Sequence, residues 1–268
     1  MRSIDYLKVV MNIRYLKLAT VALFLVLATT MTSIKIFSAE PTLRIAVASN
    51  FLNTANKLIE IYERSYNNRT EIISGSTGKL FAQINSGAPF DLFLAADNLR
   101  PKILSESDNS FAENTYVYAI GRLVLWAPAL PTYHKNCNEK LLDMPFQRIA
   151  IANPKTAPYG DAGLQTLRKF EKLQPVRAKL VFGENVSQVF SYLVTGAVDA
   201  GFLSLSQVQN KDPQRDTCAW VIPKSYYSDL SQSAIILQSK STAAQRFMNF
   251  LQSEQAKIVI ESSGYFVP

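Results

Sequence analysis

From Thr42 to the end of the chain, short apolar runs alternate with stretches whose apolar residues recur every three or four positions. Thr42 to Ala48 is an apolar run rich in β-formers. Phe51, Ala55, Leu58, Tyr62 and Tyr66 then follow at helical spacing. The pattern predicts a strand over 42–48 and a helix over 51–64. They meet at Ser49 and Asn50, residue types that favour helix starts.

The same grammar returns. A strand is expected over 70–74, a turn of small residues at Gly75-Ser76-Thr77-Gly78, and a helix over 79–85. Asp91 to Ala96 reads as a strand buried on both faces, followed by a helix over 99–105. A strand over 121–127 is closed by Pro128 and Pro131. A third junction joins a strand over 148–152 to a helix carrying Leu164, Leu167 and Phe170, through Asn153 to Gly160. A fourth joins a strand over 179–182 to a helix over 186–194 through Gly183-Glu184-Asn185. Strands over 198–203, 218–222 and 232–237 and helices over 243–251 and 253–261 complete the chain.

Strands alternating with helices predict an α/β protein with mostly parallel sheets. In such sheets ligands bind at the carboxyl ends of strands, where helix N-termini point. Two junctions fall in each half, so we expect two lobes sharing one cleft. Lobe one would comprise 40–124 and 229–268, and lobe two 125–228. Two strands, around Leu123 to Trp126 and Ser231 to Ile235, would form the hinge.

Charge adds a leader to this picture. The net charge is +7. Five basic residues (Arg2, Lys8, Arg14, Lys17, Lys35) and one acid (Asp5) lie in the first 39 positions, so about +3 remains without them. No basic stripe is interleaved with aromatics, which argues against nucleic-acid binding. Arg14 and Lys17 precede an uncharged apolar core from Leu18 to Met31, the pattern of an export signal. Residues 1–39 are therefore expected to be a signal peptide, cut after Ser38-Ala39, with a retained N-terminal anchor as the alternative. Cys137 and Cys218 are the only cysteines. In an exported chain they form one disulfide or stand as two thiols, and export favours the bridge.

The candidate chemistry is binding rather than catalysis. His134 is the only histidine and sits in a polar loop, so a Ser-His-Asp triad or a zinc site has little to draw on. Asp91 and Asp97 flank one strand and read as strand-end residues. Gly75 to Lys79 departs from a phosphate loop, because Ile73 stands where the first Gly belongs and Leu80 follows the Lys. Small residues at helix starts can still wrap an oxyanion with N–H and hydroxyl donors, without Arg or Lys. Hydroxyls of Ser49, Thr77 and Tyr159 are candidates. Such a site favours fully deprotonated oxyanions, since it offers no acceptor for an anion's own proton.

Several stretches together resemble a known family. They are Ala48-Ser49-Asn50-Phe51; Gly75-Ser76-Thr77-Gly78-Lys79-Leu80 with Gln83-Ile84; Gly87-Ala88-Pro89-Phe90-Asp91-Leu92-Phe93-Leu94-Ala95-Ala96-Asp97; Asn153-Pro154 with Ala157-Pro158-Tyr159-Gly160; Gly183-Glu184-Asn185-Val186; and Gly264-Tyr265-Phe266. In this order, over residues 42 to 268, they resemble the periplasmic molybdate-binding proteins of ABC importers. The resemblance implies a two-lobed (type II) periplasmic-binding-protein fold that is no enzyme and needs no cofactor. It would capture molybdenum only as molybdate, or tungstate in its place, and deliver it to the membrane subunits of an ABC permease, most simply as a monomer in the periplasm. The ligand contacts it implies are Ser49, Asn50, Thr77, Tyr159 and the backbone of Val186. Thr77 stands where Ser is usual. Ser204 stands where one branch of the family places a contacting Tyr, and is a possible extra contact. Alternatives are the same fold for sulfate, phosphate or an organic anion, or a membrane-tethered anion sensor.

Overall fold

A computed structural model describes residues 42–66, 68–107, 115–131, 137–209 and 217–268. The leader and His134 lie outside the described residues. Among the described residues no helix is long and apolar enough to cross a membrane.

Two five-stranded sheets carry the fold. The first has strand order β2-β1-β3-β10-β4. It contains β1 (Leu43–Ala48), β2 (Thr70–Gly75), β3 (Leu92–Leu94), β4 (Tyr116–Ile120) and β10 (Ser231–Ile236). The second has order β7-β6-β8-β5-β9. Its strands are β5 (Leu123–Pro131), β6 (Ile149–Ala152), β7 (Leu180–Gly183), β8 (Ala200–Ser204) and β9 (Thr217–Val221). In each sheet three strands are parallel and two further pairings are antiparallel. The sheets are thus evenly mixed, where mostly parallel ones were expected. The antiparallel strands β5 and β10 are those the chain enters after passing from one sheet to the other.

Burial follows the pleat. Leu43, Ile45 and Val47 face one apolar cluster and Ala46 faces another, so β1 is covered on both sides. The first cluster packs under α1 (Leu52–Tyr66), α8 (Thr242–Leu251) and α9 (Glu254–Ser262). The second lies under α2 (Thr77–Asn85) and α3 (Leu99–Ser107). The other sheet has its own core, with α4 (Pro158–Lys169) and α6 (Val186–Val194) packed on it. Short helices α5 (Leu173–Val176) and α7 (Leu205–Val208) fill connections.

Several boundaries differ from expectation. β4 precedes Gly121, in a stretch the periodicity did not mark as a strand. β5 runs through Pro128 to Pro131, and its register with β9 shifts between Ala127 and Pro131. The prolines tolerate extended backbone but cannot donate to the ladder, so they disturb the strand without ending it. In addition, α2 starts at Thr77 rather than Lys79.

The chain passes between the sheets twice, at Gly121-Arg122 and over 222–230. The passages are tied by Gly121 N–H to Leu230 O (3.0 Å) and Ile222 N–H to Leu123 O (2.9 Å). The segments expected to form the hinge, 123–126 and 231–235, lie inside sheet strands just beyond these passages. Gly121 has no room for a side chain. An added Cβ would lie 2.0 Å from the Tyr159 hydroxyl.

Cys137 and Cys218 are joined in a disulfide, with Cα atoms 5.4 Å apart and a separation of 81 positions in sequence. Closing so long a loop restricts the unfolded chain. Reduction is expected to lower stability by about 2–4 kcal/mol, read as a shift of the denaturant midpoint with and without reductant. An unchanged midpoint would mean the bridge constrains nothing.

Candidate anion-binding site

Four strand-to-helix junctions meet at one small cavity. From the first sheet come Ala48, Ser49 and Asn50, where β1 runs into a 3₁₀ turn (Ser49–Phe51), and Gly75, Ser76 and Thr77, where β2 runs into α2. From the second come Ala157, Pro158 and Tyr159 at the start of α4, and Val186 at the start of α6. Ala96, just after β3, completes the wall. The cavity is small: the centre of a water-sized sphere has only about 10 Å³ in which to move. Its size suits an ion of a few atoms rather than a larger organic molecule.

The first amides of a helix have no partner within it. Each junction disposes of those it does not present. At α6 the Asn185 side chain accepts from Ser187 N–H (2.9 Å) and Gln188 N–H (3.1 Å). That leaves the Val186 amide without an acceptor among the described residues. At α4, Pro158 has no N–H, and the Gly160 and Asp161 amides go to Ala157 O (2.9 and 3.1 Å), which leaves Tyr159 N–H. At α2 the Gly78 amide crosses to Thr156 O (2.8 Å) and the next two amides fold back onto Ser76 O, which leaves Thr77 N–H. The Thr77 hydroxyl accepts from Ala96 N–H (3.2 Å). One lone pair is thereby occupied and its hydrogen is free to be donated.

Among the described residues no charged side chain lines the cavity. The positive field there comes from helix starts, each equivalent to a fraction of a charge. Lys79 and Glu184 pair outside it, both half exposed. This bridge joins the two sheets' junctions, as do Arg100 to Lys155 O (3.4 Å) and Ser187 Oγ to Ser49 O (3.3 Å). Gly78 allows the close approach, since a Cβ there would meet Thr156 Cα at 2.9 Å.

Behind the cavity lies a buried polar network. Asn50 Nδ2 donates to Gln232 Oε1 (2.9 Å) and Tyr265 OH (3.2 Å). Asn50 O accepts from Tyr265 OH (2.8 Å) and Ser206 Oγ (3.0 Å). Tyr159 OH accepts from Ser204 Oγ (3.1 Å) and Gln232 Nε2 (3.2 Å). Gln232 thus spans the boundary between the sheets, bonded to Asn50 on one side and Tyr159 on the other. Burial pushes the Tyr159 and Tyr118 phenols well above their ordinary range, and the Tyr265 phenol up to about 12. Phe51 locks the first turn, packed edge-on against Tyr118 (4.7 Å) and Tyr265 (5.3 Å).

Five expected contacts, Ser49, Asn50, Thr77, Tyr159 and Val186, line this one cavity. One of them presents a different group from that expected: the Tyr159 hydroxyl lies in the buried network, and its backbone amide is the group without an acceptor at the start of α4. The Asn50 carboxamide also points into the network. Ser204 is fully buried but lies off the cavity wall, as the partner of Tyr159 OH. Sequence reasoning missed Ser76, which lines the wall, and Gln232, which holds the network. A Ser at a helix start signalled the first. Nothing local signalled a glutamine 182 positions from its partner Asn50.

Comparison with known proteins identifies the family. The family described as bacterial extracellular solute-binding protein matches residues 43–266. The molybdate-binding protein ModA of Azotobacter vinelandii is 35% identical over 224 residues, covering 83% of this chain and 88% of that protein. Its namesake from Rhodobacter capsulatus is 32% identical over 222 residues, covering 82% and 86%. The solved structure of the Azotobacter vinelandii periplasmic molybdate-binding protein superposes with a TM-score of 0.79 at 32% identity, covering 84% of this chain and 99% of that one. Over nearly all of its described length, the chain belongs to the bacterial extracellular solute-binding proteins.

Proposed function

We propose that this protein captures molybdate, or tungstate in its place, in the cavity between its two sheets and delivers it to the membrane subunits of an ABC permease. The observation that carries this reading is the cavity itself. It is small and lined by residues that carry unpaired helix-start amides and a hydroxyl with a free hydrogen, with no charged side chain among its described lining residues. The molybdate-binding names of the relatives in Azotobacter and Rhodobacter support the choice of anion. The chain acts by binding, as a monomer with no cofactor. It is exported to the periplasm through a cleaved leader over 1–39.

The lobes of this reading are 40–124 with 229–268, and 125–228. They open by bending at Gly121-Arg122 and over 222–230, which breaks the Gly78–Thr156, Lys79–Glu184 and Ser187–Ser49 contacts. An anion of tetrahedral shape enters the open form, and its oxygens replace water as partners of the waiting amides. Contacts across the cleft then re-form around it.

Isothermal titration at neutral pH with molybdate, tungstate and sulfate tests the reading. Tight binding of the first two with little response to sulfate is expected. Binding of sulfate alone would overturn the choice of anion. Thr77→Val deletes a hydroxyl while keeping the side chain's shape, and should weaken molybdate binding by about tenfold or more. Undiminished affinity would remove that hydroxyl from the site.

The tyrosines set a pH window. A phenol whose folded value lies above the ordinary 10 favours folding while it stays neutral. Its contribution is complete below 10 and is lost as pH rises through about 12. Stability is therefore expected to fall from about pH 10 upward, read by denaturant unfolding, while molybdate affinity stays level from about pH 7 to about pH 9. A steep affinity change within that neutral range would show that a titrating group holds the anion.

A further inference from the structure

Ser76 stands immediately before α2, where a serine ordinarily turns its hydroxyl onto a free amide of the helix. Here it does not. The Lys79 and Leu80 amides both reach the Ser76 carbonyl (3.0 and 3.1 Å), and the side chain makes no capping bond. The residue is 2% exposed, and its Oγ has no hydrogen-bond partner among the described residues. Buried hydroxyls in native proteins nearly always have one. Among the described residues two other buried hydroxyls share this condition, Thr70 and Thr156, and neither lines the cavity. Ser76 does.

Its neighbour is instructive. Thr77 Oγ1 is held by the Ala96 amide and so has a fixed direction in which to donate. Ser76 Oγ is satisfied by no partner among the described residues, yet it is buried at the mouth of the same helix dipole. A hydroxyl there has one use that its surroundings do not already fill, which is donation to an anion.

We propose that Ser76 Oγ binds the tetrahedral oxyanion directly, so that the start of α2 offers two adjacent hydroxyls and an amide. This adds a binding residue to Ser49, Asn50, Thr77, Tyr159 and Val186, and it rests on the oxyanion reading of the cavity. Facing a fully deprotonated anion, Ser76 serves only as a donor. Its hydroxyl rotor turns freely before binding and is fixed on binding.

The test pairs two readouts on three proteins. The full mature chain, Ser76→Ala and Ser76→Gly are titrated with molybdate, and each is unfolded thermally without anion. Glycine is well tolerated before a helix, so it guards against a local packing effect of alanine. We expect both variants to bind about tenfold more weakly or worse, the usual scale for a hydrogen bond to a charged group. The unliganded melting temperature of Ser76→Ala should match or exceed that of the parent, because the hydroxyl satisfies nothing there. Unchanged affinity in both variants would overturn the proposal while leaving the oxyanion reading intact. A lowered unliganded melting temperature with unchanged affinity would likewise overturn it and make Ser76 a structural cap. A parent chain silent to molybdate and tungstate would overturn the oxyanion reading, and this proposal with it.

Discussion

The site depends on leaving a few backbone amides unpaired where bulk water is excluded. Such groups cost about 1–3 kcal/mol each when buried without a partner, so a fold cannot scatter them. This chain rations them. Asn185 absorbs two amides of α6, Pro158 removes one from α4 by having none, and Thr156 O takes one from α2. The remainder, at Thr77, Tyr159 and Val186, face one cavity. An oxyanion is the natural partner for converging donors that have no charged side chain beside them. It accepts many hydrogen bonds at once and suits the positive ends of the helices.

That arrangement needs both sheets in register, and the buried network behind the cavity supplies the means. Gln232 commits its carboxamide oxygen to Asn50 and Tyr118 and its nitrogen to Tyr159. Ser206, from the second sheet's side, reaches the carbonyl of Asn50 on the first. Where networks of this kind are fully satisfied they favour one arrangement over its neighbours. Gly121 lets the chain pass between the sheets with the Tyr159 hydroxyl pressed against it. The strain-free crossing, the network and the cavity wall are therefore one construction.

Much of this was legible in the sequence. The buried strand β1 and the helical spacing of Leu58 and Tyr62 followed from hydrophobic pattern alone. The four junctions followed from small and polar residues between such patterns. What was not legible has a common physical cause. β4 and the extension of β5 past Pro128 are set by pairing with distant strands, β10 and β9, which no local pattern records. Which group of a residue faces the ligand also depends on distant partners. The Tyr159 hydroxyl is turned away by Ser204 and Gln232, and Ser76 stands out only because nothing pairs with it.

In this reading backbone amides at helix starts hold the anion, and one substitution isolates their part. Val186 is the first residue of α6, and Asn185 before it is extended (φ −151°, ψ 175°). Proline is favoured at such a position and leaves the helix intact while removing its N–H. The measurement is a molybdate titration of Val186→Pro with circular dichroism as the fold control. The account predicts an unchanged spectrum and an affinity lower by about tenfold or more. An unchanged affinity with the fold intact would contradict it, because the anion would then be held by something other than the helix termini.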